Sequence, residues 1–127
     1  MTDDRPFSPK VLEIDCARAC EEIAARIRSL MKDHLRKRGL VVGISGGIDS
    51  SVTAALCVEA LGRERTLGLQ MPERHSADET MPLSALVADH LRIPRVPIDI
   101  TPVLEAVGYY DKYDQAVRTT VPAYGSG

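Results

Sequence analysis

The stretch that decides the fold is Leu40-Val41-Val42-Gly43-Ile44-Ser45-Gly46-Gly47-Ile48-Asp49-Ser50. It opens with aliphatic and β-branched residues without polar alternation, which predicts a strand buried on both faces. Apolar residues at helical spacing follow from Val52 to Leu61, and Gly62 ends the predicted helix. The residues between these two elements are therefore predicted to form a strand-to-helix turn.

The same alternation of strand and helix continues along the chain. Residues 66–71 and 95–100 are predicted strands, and they flank a predicted helix with Leu83, Leu86, Val87 and Leu91. A further helical piece is predicted at 101–107. This spacing indicates parallel strands joined by right-handed crossovers. We predict an α/β fold: an open, Rossmann-like parallel sheet with helices on both faces, incomplete because three strands leave an unprotected edge.

Two flanking segments complete the predicted organisation. Residues 1–39 are predicted to form a long helix that packs on the domain, beginning at Ser8 before Pro9 and stopping at Gly39. Its apolar stripe consists of Cys16, Cys20, Ile23, Ile27, Leu30 and Met31. Residues 40–108 form the predicted nucleotide-binding core. Residues 109–127 contain all four tyrosines without clear periodicity, and their structure is left open.

Composition excludes several classes of protein. The chain has 127 residues, enough for one domain, and its 16 Lys and Arg against 18 Asp and Glu give a net charge of -2. This balance creates no overall basic field, so no nucleic-acid partner is expected. No apolar run approaches the roughly 20 residues that span a bilayer, so we expect a cytoplasmic protein with no membrane partner. Cysteines 16, 20 and 57 lack disulfide or zinc spacing and are predicted to be core or half-buried thiols.

The predicted turn has the features of a phosphate-binding loop. Adjacent Gly46 and Gly47 allow positive φ and inward-pointing N–H groups, and the following helix adds unpaired N–H groups at its N-terminus. Ser45 and Ser50 add hydroxyl groups at the rim. Asp49 would repel phosphate unless Mg²⁺ lay between them. The alternative is an ordinary turn in which Asp49 or Ser50 only caps the helix.

Three segments resemble a known family. Ser-Gly-Gly-Ile-Asp-Ser at 45–50 resembles the pyrophosphate-binding loop of the N-type ATP pyrophosphatases. Residues 67–76, Leu-Gly-Leu-Gln-Met-Pro-Glu-Arg-His-Ser, and residues 98–103, Ile-Asp-Ile-Thr-Pro-Val, are similar to the segments at the second and third strands of the NAD synthetases within that superfamily. The similarity covers about residues 10–108 and corresponds to the amino-terminal half of that family.

The resemblance implies an adenine nucleotide alpha hydrolase-like fold and an ATP- and Mg²⁺-dependent amide ligase. Such an enzyme adenylates the nicotinate carboxylate of deamido-NAD with release of pyrophosphate, and ammonia then attacks to give NAD. Asp49 is implied to bind Mg²⁺, and main-chain groups near Leu69 and Met71 to face adenine. Arg74, in the loop after the second strand, is expected to meet phosphate or ribose. The full set expected to bind ATP is Gly43, Ile44, Ser45, Gly46, Gly47, Ile48, Asp49, Ser50, Leu69, Met71 and Arg74.

The carboxyl-terminal part departs from that family. Residues 109–127 do not match the segments that complete the dimer and the deamido-NAD pocket, so a homodimer or a partner domain or chain is expected to complete the fold. No residue is assigned to catalysis, and no Cys-His or Ser-His arrangement suggests a built-in glutaminase. Two alternatives stay open. One is another N-type ATP pyrophosphatase ligase with a different acyl acceptor, and the other is a nucleotide-binding module that is inactive as this fragment.

Overall fold

A computed structural model describes residues 13–125. Its helices are α1 Cys16–Ser29, continued by a π-helical turn at Leu30–Leu35, then α2 Ile48–Leu61, α3 Thr80–Leu91, α4 Thr101–Ala106 and α5 Tyr109–Thr120. Its strands are β1 Leu40–Gly43, β2 Thr66–Gln70 and β3 Arg95–Pro97. A 3-10 turn at Arg63–Arg65 joins α2 to β2. No helix among these residues has the length and apolar character needed to cross a membrane.

The strands form one parallel sheet in the order β1-β2-β3. Val42 of β1 lies opposite Gly68 of β2, and Gly68 in turn lies opposite Arg95 of β3. The predicted α/β class with an open parallel sheet is confirmed. β3 is shorter than predicted and ends at Pro97, although the N–H of Ile98 still donates to the Gln70 carbonyl at 2.8 Å.

One face of the sheet carries the core. Its buried residues are Val42 on β1, Ile44 just after β1, Ala54 on α2, Ala88 on α3, and Ile93 just before β3. Small residues let the helices approach the strands closely. Gly68 adds to this close packing, since a Cβ there would lie 2.8 Å from Cδ1 of Ile44 and the Ile44 side chain would have to shift.

The other face of the sheet is open. Val41 is 60% exposed and Val96 is 40% exposed, so the prediction that β1 is buried on both faces is wrong. The strand order follows the chain, so β2 and β3 are each added at the same edge of the sheet. Because both crossovers are right-handed, α2 and α3 lie on the same face. Neither helix covers the second face.

Helix α1 packs against α2, and only part of its apolar stripe is buried. The predicted cap at Ser8 lies outside the described residues. The observed helix begins at Cys16, where the Asp15 carboxylate accepts a hydrogen bond of 3.1 Å from the backbone N–H of Arg18. Cys16 and Cys20 are exposed, contrary to prediction, and the buried residues of this segment, Ala24 and Met31, lie further along the chain. Cys57 on α2 is buried, as predicted.

The end of this helix also differs from prediction. The π-helical turn stops at Leu35, and Arg36 takes a left-handed conformation with φ 51°. The N–H of Lys37 then donates to the carbonyl of Met31 at 3.0 Å. Gly39 is therefore not the helix stop, and it is needed for packing instead: a Cβ there would lie 2.9 Å from the Arg65 carbonyl oxygen.

The segment without clear periodicity contains a helix, α5. Gly108, with φ 67°, precedes it, and Tyr110 is its buried residue. Tyr110, Tyr113 and Val117 recur at helical spacing, so the expectation of poor periodicity in this segment is wrong. Tyr110 anchors α5 to the loop after β2.

Candidate functional site

The loop over residues 43–50 depends on one glycine more than on the other. Gly46 has φ 81°, and a Cβ there would lie 2.4 Å from Cβ of Leu83 and 2.8 Å from the backbone nitrogen of Ser84. Both the left-handed backbone and the close approach of α3 require glycine at this position. Gly47 has an extended backbone, with φ -73° and ψ 162°. The expectation of positive φ is confirmed for Gly46 and is wrong for Gly47.

Serine hydroxyls hold the loop in shape. Ser50 Oγ accepts a hydrogen bond of 3.2 Å from the N–H of Ser45 and donates one of 3.1 Å to the carbonyl of Gly47. It also lies 3.0 Å from Ser45 Oγ, which accepts a hydrogen bond from the N–H of Gly47 at 3.3 Å. Ser51 Oγ donates to the Gly47 carbonyl at 2.7 Å. The predicted rim hydroxyls therefore fix the loop through bonds within the protein itself.

The amino end of α2 has no side-chain cap. Its N-cap residue is Gly47, and Asp49 and Ser50 both lie inside the first turn. The alternative that either residue only caps the helix is therefore wrong. Among the described residues, the N–H groups of Ile48, Asp49 and Ser50 have no acceptor. Free N–H groups at the positive end of a helix dipole are well suited to bind an anion.

Asp49 is the carboxylate of this loop. It is exposed, and no side chain in the described part of the protein bonds to its carboxylate. Over residues 13–125 no group of three or more potential metal ligands comes together. Mg²⁺ commonly takes one or two carboxylates and completes its coordination with phosphate oxygens and water. The free Asp49 carboxylate in the first turn of α2 is one of the ligands that such a site would need.

A cavity of about 250 Å³ lies at the carboxyl ends of β1 and β2. This is the edge at which open α/β sheets bind ligands. The cavity brings together five of the predicted residues: Gly43, Ile44, Ser45, Leu69 and Met71. Four further lining residues were missed by sequence reasoning: Gln70, Pro72, Thr80 and Met81.

Gln70 shows why part of this wall was missed. Its Nε2 donates to Ser84 Oγ at 2.6 Å, and Ser84 Oγ donates to the carbonyl of Met81 at 3.0 Å. Both side chains are buried, so the pair links the end of β2 to α3 inside the protein. Gln70 alternates with Thr66 and Gly68 on the buried face of β2, and that alternation is the signal in the sequence.

Arg74 lies away from this cavity. Its guanidinium forms an ion pair with Glu105 on α4 and stands 4.2 Å from the centroid of the Tyr110 ring. The structure does not bring Arg74 to the loop at 43–50, and its role in nucleotide binding stays a prediction.

The loop after β2 carries a polar contact that the sequence did not indicate. Tyr110 Oη donates to Glu73 Oε2 at 2.8 Å and accepts from the N–H of Arg74 at 3.3 Å. Hydrogen bonds from the His75 backbone and from Tyr110, with the nearby charges of His75 and Arg74, lower the pKa of Glu73. Burial, together with the bond to Glu73, raises the pKa of Tyr110. Both shifts favour the pair of a charged Glu73 and a neutral Tyr110.

Comparison with known sequences shows the family. The sequence profile described as NAD synthase matches residues 19–123. The NH(3)-dependent NAD(+) synthetase of Mesorhizobium japonicum is 45% identical over 117 residues, which cover 92% of this chain and 37% of that protein. The synthetase of the same name from Rhizobium meliloti is 46% identical over 121 residues, which cover 95% of this chain and 36% of that protein. The chain thus spans little more than a third of the length of these relatives.

Solved structures agree. The NH3-dependent NAD synthetase from Campylobacter jejuni superposes with a TM-score of 0.67 at 28% identity, over 75% of this chain and 41% of that one. The NMN synthetase from Francisella tularensis superposes with a TM-score of 0.65 at 26% identity, over 85% of this chain and 41% of that one. Sequence and structure together show that the chain belongs to the NAD synthase family.

Proposed function

We propose that this chain forms the ATP-binding part of an NH3-dependent NAD synthetase. The observation that carries the proposal is the uncapped amino end of α2, which follows a loop lining the cavity at the carboxyl ends of β1 and β2. In a chain 45% identical to a relative named for NAD synthesis, the N–H groups at this helix end would hold the phosphates of a nucleoside triphosphate.

Each part of the site has a proposed role. The free N–H groups of residues 48–50 bind the β- and γ-phosphates of ATP, and main-chain groups near Leu69 and Met71 face adenine. Asp49 holds Mg²⁺, which neutralises phosphate charge when bound. As the nicotinate carboxylate attacks the α-phosphate, negative charge grows on the departing pyrophosphate. The fixed N–H donors of the loop stabilise that charge without reorganisation, which lowers the barrier.

The second step of the reaction, the attack of ammonia on the acyl-adenylate, is part of the same proposal. The resulting acyl-adenylate of deamido-NAD is attacked by free ammonia, and the amide of NAD forms as AMP leaves. The relatives are about two and a half times as long as this chain, so we propose that acceptor binding needs the equivalent of their remaining length. A homodimer or a partner domain or chain would supply it, and we place the reaction in the cytoplasm.

The metal role of Asp49 is tested with Asp49→Ala. We expect its affinity for ATP in the presence of Mg²⁺ to fall about tenfold, which corresponds to about 1.4 kcal/mol, with little change when EDTA removes the metal. Titration calorimetry measures both. Asp111→Ala is the matched control, because Asp111 is also an exposed acid in the first turn of a helix. Equal affinity of the Asp49 variant and wild type would contradict the proposed site.

Turnover is tested on a fusion of this chain to the remaining carboxyl-terminal part of the Rhizobium meliloti relative. We expect pyrophosphate release from ATP that depends on both deamido-NAD and ammonia. The likeness to an NMN synthetase makes a mononucleotide acceptor the second candidate, so deamidated NMN is assayed in parallel. Preference for the mononucleotide would change the acceptor. ATP binding without any turnover would favour the binding-module alternative.

A further inference from the structure

The loop after β2 lines the cavity at both of its ends and forms a tight turn in its middle. Its ends line the nucleotide cavity, at Met71 and Pro72 on one side and at Thr80 on the other. Its middle, Glu73 to Ser76, lies away from the cavity and forms a tight turn. The N–H of Ser76 donates to the Glu73 carbonyl and the N–H of Glu73 donates to Ser76 Oγ, both at 2.9 Å. These paired bonds make the turn a single unit, so its position affects both walls.

One side chain from a distant helix holds that turn. Tyr110, at the start of α5, is only 6% exposed. Its hydroxyl bonds to the Glu73 carboxylate and the Arg74 N–H, its ring lies under the Arg74 guanidinium, and the His75 ring meets its edge at 5.2 Å. A single tyrosine therefore contacts three successive residues of the turn.

Other contacts also hold this loop, but the Tyr110 hydroxyl makes the bond to the Glu73 carboxylate. Glu105 of α4 binds the Arg74 guanidinium, and Ile100 donates its N–H to the Pro72 carbonyl at 3.0 Å. The Arg74–Glu105 pair is half exposed, so it adds little free energy. The bond from Tyr110 to Glu73 is part-buried, and hydrogen bonds to a charged acceptor are the stronger kind.

We propose that Tyr110 is a positioning residue for the nucleotide cavity, because its hydroxyl fixes the turn at 73–76 and thereby the wall formed by Met71, Pro72 and Thr80. The proposal rests on the proposed function for the identity of the ligand. Without the hydroxyl the turn samples more conformations, and nucleotide binding must order it at a cost in entropy. Losing one such hydrogen bond weakens binding about 3- to 10-fold.

The experiment compares Tyr110→Phe with Tyr113→Phe. The first variant keeps the ring and its contact with Arg74 and loses the hydroxyl. Tyr113 stands one turn further along α5, its ring also lies 5.2 Å from that of His75, and its hydroxyl makes no hydrogen bond within residues 13–125. Calorimetry with ATP and Mg²⁺ is expected to show about 3- to 10-fold weaker binding for Tyr110→Phe and unchanged binding for Tyr113→Phe.

A second readout separates positioning from general stability. The groups that face the Glu73 carboxylate are Arg74 and His75 in the loop and Tyr110 on α5, with Glu105 of α4 acting through Arg74. Removing the Tyr110 hydroxyl removes a donor to the carboxylate, so the pKa of Glu73 rises toward its ordinary value. The pH at which nucleotide affinity falls on acidification should rise with it. A tyrosine that only stabilised the fold would lower Tm and leave this pH unchanged.

The outcomes are distinct. If wild type binds ATP and Tyr110→Phe binds it equally well, the inference is overturned and the proposed function stands. If wild type binds no ATP, both are overturned. Should Tyr110→Phe fail to melt cooperatively, Glu73→Ala breaks the same bond from the loop side. The same loss of affinity in Glu73→Ala supports the inference, and unchanged affinity overturns it. Where all variants fold, the double variant should bind no more weakly than either single variant.

Discussion

The two loops that line the cavity at the carboxyl ends of β1 and β2 are held in different ways. The loop at 43–50 is fixed by hydrogen bonds between residues no more than five positions apart, through Ser45, Gly47 and Ser50. The loop at 71–79 is fixed through Glu73 and Arg74 by partners 31 to 37 positions away. The first loop is held by its own hydrogen bonds, whereas the second contains a locally bonded turn that α4 and α5 hold in place.

The largest effect is expected where the first loop touches the fold. Gly46→Ala combines a left-handed backbone with a clash against α3, and we expect it to lower the free energy of unfolding by about 2–5 kcal/mol. Gly47→Ala is the matched control and should cost under about 1 kcal/mol, because its backbone is extended and a Cβ there would contact only Ser45 Oγ, at 3.4 Å. Urea unfolding measures both. Equal losses would show that the loop does not depend on Gly46 in particular.

A smaller effect tests whether the first loop is held locally. Ser50→Ala removes the hydroxyl that joins Ser45 to Gly47, and we expect a loss of about 1–2 kcal/mol. Ser51→Ala removes one bond to the same carbonyl and should cost about 0.5–1 kcal/mol. Thermal unfolding of the pair gives the comparison. A larger loss for Ser51→Ala would show that the loop does not depend on the Ser50 hydroxyl in particular.

The same contrast explains what the sequence could predict. The strand, the paired glycines, the flanking serines and the following helix are neighbours in the chain, so the sequence alone indicates Gly43 to Ser50 as a site. It does not indicate the buried pair of Gln70 and Ser84, because two residues 14 positions apart meet only when α3 packs on β2.

Exposure was less predictable than secondary structure. An apolar stripe predicts that a helix packs on something, and it does not show how far along the helix the contact runs. Cys16 and Cys20 precede Ala24, the buried residue of α1, and are exposed. Tyr110 shows the opposite case: it is buried although most of α5 is exposed, because its hydroxyl and ring contact residues 73–75 in the loop after β2.

The smallest effect tests the long-range support of the second loop. The pKa of Glu73 is lowered in the folded protein, so its contribution to stability is fully present above the unfolded pKa and is lost as pH falls through the folded value. In Tyr110→Phe the folded pKa lies closer to the unfolded one, so less stability is lost on acidification. Urea unfolding between about pH 7 and pH 3 should show a shallower acid limb. Tyr113→Phe should follow wild type, and an unchanged limb in Tyr110→Phe would contradict the contact.

The placement of α2 and α3 on one face has a consequence for any larger sheet. Within residues 13–125 no strand pairs with the outer edge of β1. A further parallel strand at that edge, joined by a right-handed crossover, would carry its helix over Val41 and Val96. The winding direction would then reverse at β1, and the crevice that opens at such a reversal would begin at the carboxyl end of β1, where residues 43–50 lie.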